Sequence, residues 1–132
     1  KELGAMTDRE GATYPLRVRP STPKPSVPVV LLIDHQSASA SEVLAAATQE
    51  AHAGTLVGER SAGAVDALEM WALDDGSVLD ITVARLATPS GRRVDRVGVT
   101  PDVVVIPTLQ DLFDAHDIQL DAAREALSNR IP

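Results

Sequence analysis

Cysteine is absent from this 132-residue chain, which excludes a disulfide scaffold and thiolate metal sites and leaves the redox compartment open. Aromatic residues are nearly absent too: Tyr14, Trp71 and Phe113 make up 2% of the residues. Positive charge is in short supply, with 12 Lys+Arg against 19 Asp+Glu and a formal net charge of −7. Without a cluster of Lys and Arg to neutralise phosphates, nucleic acid is not an expected partner. No apolar run approaches the ~20 residues that a membrane-spanning helix requires. The opening Lys1-Glu2-Leu3-Gly4 has no apolar h-region and does not read as a secretory signal. His35, His52 and His116 are scattered without metal-ligand spacing, so neither a metal nor a cofactor is expected. What is present is a 44% hydrophobic composition in a length ordinary for one globular domain.

The pattern along the chain alternates strand and helix signals. Residues 1–26 form a lead-in, with two short strands around the polar turn at 7–11 and then the proline-rich loop Pro20-Ser21-Thr22-Pro23-Lys24-Pro25-Ser26. The unbroken apolar run from Val27 to Asp34 predicts a strand covered on both faces of a parallel sheet. An alanine-rich helix is expected over 41–53, with Val43, Leu44, Ala47 and Ala51 inward. Gly54 ends it, and Thr55–Gly58 reads as a second buried strand, completing a βαβ unit. Residues 67–73 and 77–88, joined by Asp74-Asp75-Gly76, predict a β-hairpin with Leu79, Ile81 and Val83 on one face. A last strand over 101–106 closes the core, and Thr108 with Asp111, then Asp117, read as caps of two terminal helices. The fold class is α/β with an antiparallel hairpin attached.

The chemistry concentrates in Asp34-His35-Gln36-Ser37-Ala38-Ser39-Ala40-Ser41-Glu42. This segment lies where a buried strand ends and a helix begins, the place where sites form in open α/β sheets. A serine there meets the free N–H groups and positive dipole end of the helix, which favour an oxyanion. It also needs a base, because an unassisted hydroxyl is a weak nucleophile. Ser39 and Glu42 equally form S-x-x-E, a capping box, and spacing alone favours that plainer role. His35, four residues before Ser39, is a weaker candidate base and otherwise a polar residue at a strand end.

The segment 37–42, followed by Gln49-Glu50 and Leu56-Val57-Gly58-Glu59-Arg60, resembles the core of the C-terminal processing (tail-specific) serine peptidases. Asp75-Gly76-Ser77, Ala87-Thr88-Pro89-Ser90-Gly91-Arg92 and Gly98-Val99-Thr100-Pro101-Asp102-Val103 continue the same order, so the likeness covers about residues 27–106. The resemblance implies a Clp protease/crotonase-like core, here a partial domain with the terminal helices at 107–132. It implies Ser39 as nucleophile, the backbone N–H of Ala40 as an oxyanion donor, and a peptide or protein as substrate. It further implies an upstream core segment with the second oxyanion donor, and a PDZ domain. On that reading the chain is the C-terminal part of a peptidase core, inactive alone, with an open sheet edge that invites a homodimer. Family habit favours an extracytoplasmic or membrane-associated place, or a cytoplasmic one if the chain is tricorn-like.

One position departs from the family pattern. Peptidases of the Ser–Lys type carry a lysine about 25 residues after the nucleophile, and position 64 here is alanine, within Ser61-Ala62-Gly63-Ala64-Val65. Lys1 and Lys24 are remote in sequence. Three explanations are open. A histidine from another segment replaces the lysine, as in the tricorn-like branch, with Asp95 orienting it; the plainer reading of Asp95 is a solvated carboxylate between Arg93 and Arg96. Alternatively the chain is a catalytically dead, peptide-binding relative. The third is an engineered loss of the lysine, which the departure at Val65 disfavours.

Overall fold

The computed structural model describes residues 2–20 and 25–130, so Lys1, Lys24 and most of the predicted proline-rich loop lie outside it. Ten elements follow one another along the chain. They are strands β1 (Glu2–Asp8), β2 (Thr13–Arg17) and β3 (Val30–Ile33), helix α1 (Ala40–Glu50), strand β4 (Thr55–Gly58), the hairpin β5 (Ala67–Ala72) and β6 (Val78–Ala87), strand β7 (Val103–Val104), and helices α2 (Leu109–Phe113) and α3 (Ile118–Ser128). Two sheets form. An antiparallel one is ordered β2-β1-β6-β5, and a parallel one is ordered β3-β4-β7. The predicted βαβ unit is β3-α1-β4, with α1 packed on both β1 and β4 and α3 packed on β3 and β4.

The core sits where α1 meets the two sheets, and comprises Ile33, Ala45, Ala46, Leu56, Val65, Leu86, Val94 and Val99. Alanines on α1 let the helix approach β4 closely, and all four residues of β4 are buried. The buried face of α1 is Glu42, Ala45, Ala46 and Ala47; of the expected Val43, Leu44, Ala47 and Ala51, Ala47 is buried and Val43 packs half-buried on the core, while Leu44 and Ala51 face outward. Leu44, the bulkiest apolar residue of the helix, is 52% exposed. Close approach to the sheet selects the smallest side chains, and one carboxylate, for the interior.

Two further expectations are modified. β3 is shorter than the apolar run, and Leu32 is 47% exposed, so among the described residues this strand is not covered on both faces. β7 is two exposed residues rather than six. In the hairpin, Trp71 pairs with Leu79 and Glu69 with Ile81, which puts Leu79, Ile81 and Trp71 on one face as alternation requires. That face is open, with all three side chains exposed. The terminal helices agree with their predicted caps: Thr108 and Asp111 form a full capping box, and Asp117 Oδ1 accepts from the Leu120 N–H at 2.8 Å.

Gly58 holds β3 and β4 in register. It pairs with Ile33, its φ is 126°, and a Cβ there would lie 2.1 Å from the Ile33 carbonyl oxygen. No rotamer relieves a clash between Cβ and backbone. Gly58→Ala is therefore expected to lower unfolding free energy by ~3 kcal/mol or more, while Asp117→Ala, losing only a cap, costs ~1 kcal/mol. Urea unfolding of both variants checks the ranking, and a reversed order would contradict the β3–β4 register.

Candidate active site

The turn that leads from β3 into α1 is built on Asp34. Its Oδ1 accepts from the N–H of Gln36 (3.0 Å), the N–H of Ser37 (2.9 Å) and the Ser37 hydroxyl (3.0 Å). The Ser37 hydroxyl in turn accepts from the Asp34 N–H at 3.1 Å. This reciprocal arrangement is an Asx turn reinforced by a second side chain. The Ser37 hydroxyl bond is the largest cause holding the Asp34 carboxyl below its ordinary 3.8; it and the two N–H groups outweigh the opposing effect of burial.

Ser39 follows in a strained conformation, with φ 57° and ψ −123°, a region that non-glycine residues enter at a cost of ~1–3 kcal/mol. The capping box that spacing favours does not form. Ser39 makes no side-chain cap bond, and Glu42 turns away from it. The reason is that a cap residue ordinarily needs extended dihedrals to reach the N–H groups of the first turn, and Ser39 lacks them. Its hydroxyl is left exposed and unbonded among the described residues. The next N–H, that of Ala40, begins α1 and also makes no hydrogen bond among the described residues. An uncommitted hydroxyl therefore sits beside an uncommitted donor at the positive end of a helix.

The strain is held in place from residues 61–64. The Ser39 N–H donates to the Ala64 carbonyl at 2.8 Å, and the Ala62 N–H to the Ser37 carbonyl at 2.9 Å. Glu42, with no solvent exposure, grips the same segment from the helix. Its Oε1 accepts from the Ser61 hydroxyl (2.5 Å) and the Gly63 N–H (2.7 Å), and its Oε2 from the Ala64 N–H (2.8 Å). The Ser61 hydroxyl accepts in addition from the Val99 N–H at 2.7 Å. A buried carboxylate is tolerated where several donors replace water. Gly63 is required in this arrangement: at φ 75° a Cβ would lie 2.9 Å from the backbone nitrogens of both Val97 and Gly98.

Ser39 and Ala40 open onto a cleft of about 410 Å³ whose walls are largely apolar, from Met6, Leu16, Val43, Val65, Leu68 and Leu86. Asp66 also lines it, a residue that no motif or spacing marks in the sequence. Asp95 is not in this cleft. It lines an adjacent one, which shares Asp66, and its Oδ2 lies 3.6 Å from Arg96 Nε. None of the histidines lines the Ser39 cleft. His35 faces Glu59, Nδ1 to Oε2 at 3.8 Å; His52 follows the end of α1; His116 Nε2 lies 2.9 Å from Asp121 Oδ2. Glu59 also accepts from Gln119 Nε2 at 3.4 Å. Among the described residues no group of three His, Cys, Asp or Glu could hold a metal ion. No helix there is long and apolar enough to cross a membrane.

Several motif residues prove to be scaffold. Gln49 donates to the Thr100 carbonyl (3.0 Å) and Asp102 Oδ1 (2.8 Å), and Asp102 Oδ2 accepts from the Leu56 N–H (2.8 Å). Glu50 accepts from the Ser90 N–H (3.0 Å) and hydroxyl (2.9 Å), with Arg92 Nε 3.5 Å away. Burial pushes the Glu50 carboxyl up, but hydrogen bonds from Thr88 and Ser90 and the Arg92 charge outweigh it and leave it lowered.

The model of peptidase family S41 matches residues 2–105. Carboxyl-terminal-processing peptidase 3, chloroplastic, of Arabidopsis thaliana is 37% identical over 112 residues, covering 85% of this chain and 22% of its own length. The solved photosystem II D1 C-terminal processing protease superposes with a TM-score of 0.68 at 31% identity, over 96% of this chain and 31% of that one. The tricorn protease shares the fold, with a TM-score of 0.66 at 23% identity over 98% of this chain and 12% of that one. The chain thus spans less than a third of the length of these relatives.

Two outcomes are expected from this geometry. Glu42→Ala strands the buried Gly63 N–H and Ser61 hydroxyl and the half-buried Ala64 N–H and should cost ~3 kcal/mol or more in urea unfolding; a loss under ~1 kcal/mol would show that the clamp is dispensable. Because the Asp34 carboxyl is lowered in the fold, its contribution is complete above 3.8 and is lost as pH falls through the folded value. An NMR titration should find Asp34 below 3.8 and Ser37→Ala should raise it, and an unchanged value in Ser37→Ala would contradict the turn.

Proposed function

This chain belongs to peptidase family S41, and on that premise we propose that it carries the nucleophile of a C-terminal processing type of endopeptidase, with Ser39 in that role. The observation that carries the reading is the strained Ser39 (φ 57°, ψ −123°), whose hydroxyl does not cap α1 although the spacing suits a cap. Strain maintained by surrounding bonds, with no structural gain from the side chain itself, is characteristic of sites that present a reacting atom. Support also comes from the cleft on which Ser39 opens, which has room and apolar walls for a peptide.

In the proposed reaction Ser39 Oγ attacks a peptide carbonyl carbon as its proton passes to a base. The carbonyl oxygen becomes an oxyanion and takes the Ala40 N–H; a second donor comes from an upstream core segment. Collapse of the tetrahedral intermediate expels the amine, which receives the proton, and leaves an acyl-enzyme that water hydrolyses. The base is not at position 64, where the family's lysine is replaced by Ala64. It is an imidazole brought by another segment, and Asp95, across Asp66 from the cleft, is the acid assigned to orient it. The vacant lysine position also favours a second reading, a peptide-binding relative without turnover.

A serine-reactive fluorophosphonate decides between them, applied to the chain joined to an upstream core segment of the kind its relatives carry. The expected result is phosphonylation that disappears in Ser39→Ala. Ala64→Lys, supplying a general base, should raise the labelling rate by about 10²–10⁴-fold. No labelling of the parent or of Ala64→Lys, with circular dichroism unchanged, would overturn the peptidase reading and leave the peptide-binding one.

A further inference from the structure

The cleft onto which Ser39 opens has one charged residue in its wall. Asp66 stands there among residues that, Ser39 apart, carry apolar side chains. Its Oδ1 accepts from the Leu86 N–H at 3.2 Å, and Leu86 is itself part of the same wall. That bond ties the carboxylate to the cleft, while Oδ2 makes no hydrogen bond among the described residues. The charge is not neutralised either: no Lys, Arg or His nitrogen lies within 4.0 Å of Asp66 among the described residues. Arg85, Arg93 and Arg96 line the neighbouring cleft that Asp66 also borders, and none of them lines the cleft of Ser39.

The fold makes no use of this charge. Holding the Leu86 N–H takes an acceptor, and a neutral amide oxygen would serve as well. In the half-buried Asp66 the charge is kept by water, and a peptide laid in the cleft displaces that water. An apolar residue against Asp66 costs the carboxylate its hydration and returns nothing, and an acidic one adds repulsion. A lysine or arginine returns a charge-assisted hydrogen bond, with its methylenes lying along the apolar walls. The same carboxylate thus attracts one class of side chain and penalises the others.

We propose that Asp66 is a specificity-determining residue of the Ser39 cleft, which takes a peptide bearing a cation, a lysine or arginine side chain, against Asp66 Oδ2. The inference rests on the peptidase reading in that its ligand is a peptide substrate lying over Ser39. Asp66 selects that peptide and takes no part in breaking the bond.

Fluorescence anisotropy on the chain with apolar hexapeptides, all labelled at the C terminus, provides the test. One is acetylated with norleucine at a central position, two others carry lysine or glutamate in its place, and a fourth is the norleucine peptide with a free N-terminal amine. The lysine peptide should bind about tenfold more tightly than the acetylated norleucine peptide, and the glutamate peptide more weakly than either. Asp66→Asn, which keeps an acceptor for the Leu86 N–H, should abolish the lysine preference, and Asp66→Ser should do the same. Glu125→Gln, exposed on α3, should preserve it, which separates a local partner from the net charge of −7. A free-amine norleucine peptide that matches the lysine peptide, and loses that advantage in Asp66→Asn, identifies a terminal ammonium as the source of the cation at the same residue. Equal binding of all four peptides, no binding of any, or a lysine preference that survives both Asp66 variants with circular dichroism unchanged, overturns the proposal. Fluorophosphonate labelling reports on Ser39 separately. A labelled serine without a lysine preference removes this inference and leaves the peptidase reading, and a lysine preference with an inert serine does the reverse.

Discussion

A single buried carboxylate organises the candidate site. Glu42 lies inside the first turn of α1 and collects the Ser61 hydroxyl and the N–H groups of Gly63 and Ala64. With no cation among these partners, its charge is balanced by hydrogen bonds and by the positive end of the helix. The segment it holds then fixes two others: Ala64 receives the Ser39 N–H, and Gly63 receives the Arg96 N–H. Two of the four non-glycine residues with positive φ among the described residues, Ser39 and Arg96, are therefore bonded to the segment that Glu42 holds. The scaffold behind it is stitched in the same manner, with Gln49 and Asp102 joining α1 to β4 and Glu50 joining α1 to the turn at Ser90.

Elements with local signals were legible in the sequence. β4 and α3 begin and end where Gly54 and Asp117 predict, and Asp74-Asp75-Gly76 turns the hairpin as expected. What was not legible depends on partners distant along the chain. The inward face of α1 was misassigned because close packing on β4 selects Ala45 and Ala46 over Leu44, and periodicity counts hydrophobicity without measuring the space available. Glu42 read as half of a capping box because its true partners, Ser61 to Ala64, are about twenty residues further on. The open faces of β3 and of the hairpin follow the same logic, since an apolar pattern predicts that a surface can be covered and says nothing of what covers it.

The family motifs divide accordingly into two kinds. Gln49, Glu50, Asp102 and the Ser90 turn are joined to one another and hold the helix to the sheets. Ser39 and Ala40 stand at the cleft with uncommitted polar groups, and Ala64 accepts the Ser39 N–H behind them. At Ala64 the backbone N–H and carbonyl are both engaged, which fixes the backbone and leaves the side chain free to change. A substitution there removes a chemical group without disturbing the turn that presents Ser39.

The central claim is that Glu42, acting through residue 64, holds Ser39 in its strained turn. Amide hydrogen exchange by NMR, comparing the parent chain with Glu42→Gln, tests it most directly. The account predicts that the Ser39 amide, which Glu42 does not touch, exchanges faster together with those of Gly63 and Ala64, while the Leu56 amide, bonded to Asp102, keeps its protection. Faster exchange at Gly63 and Ala64 with an unchanged Ser39 amide would contradict it.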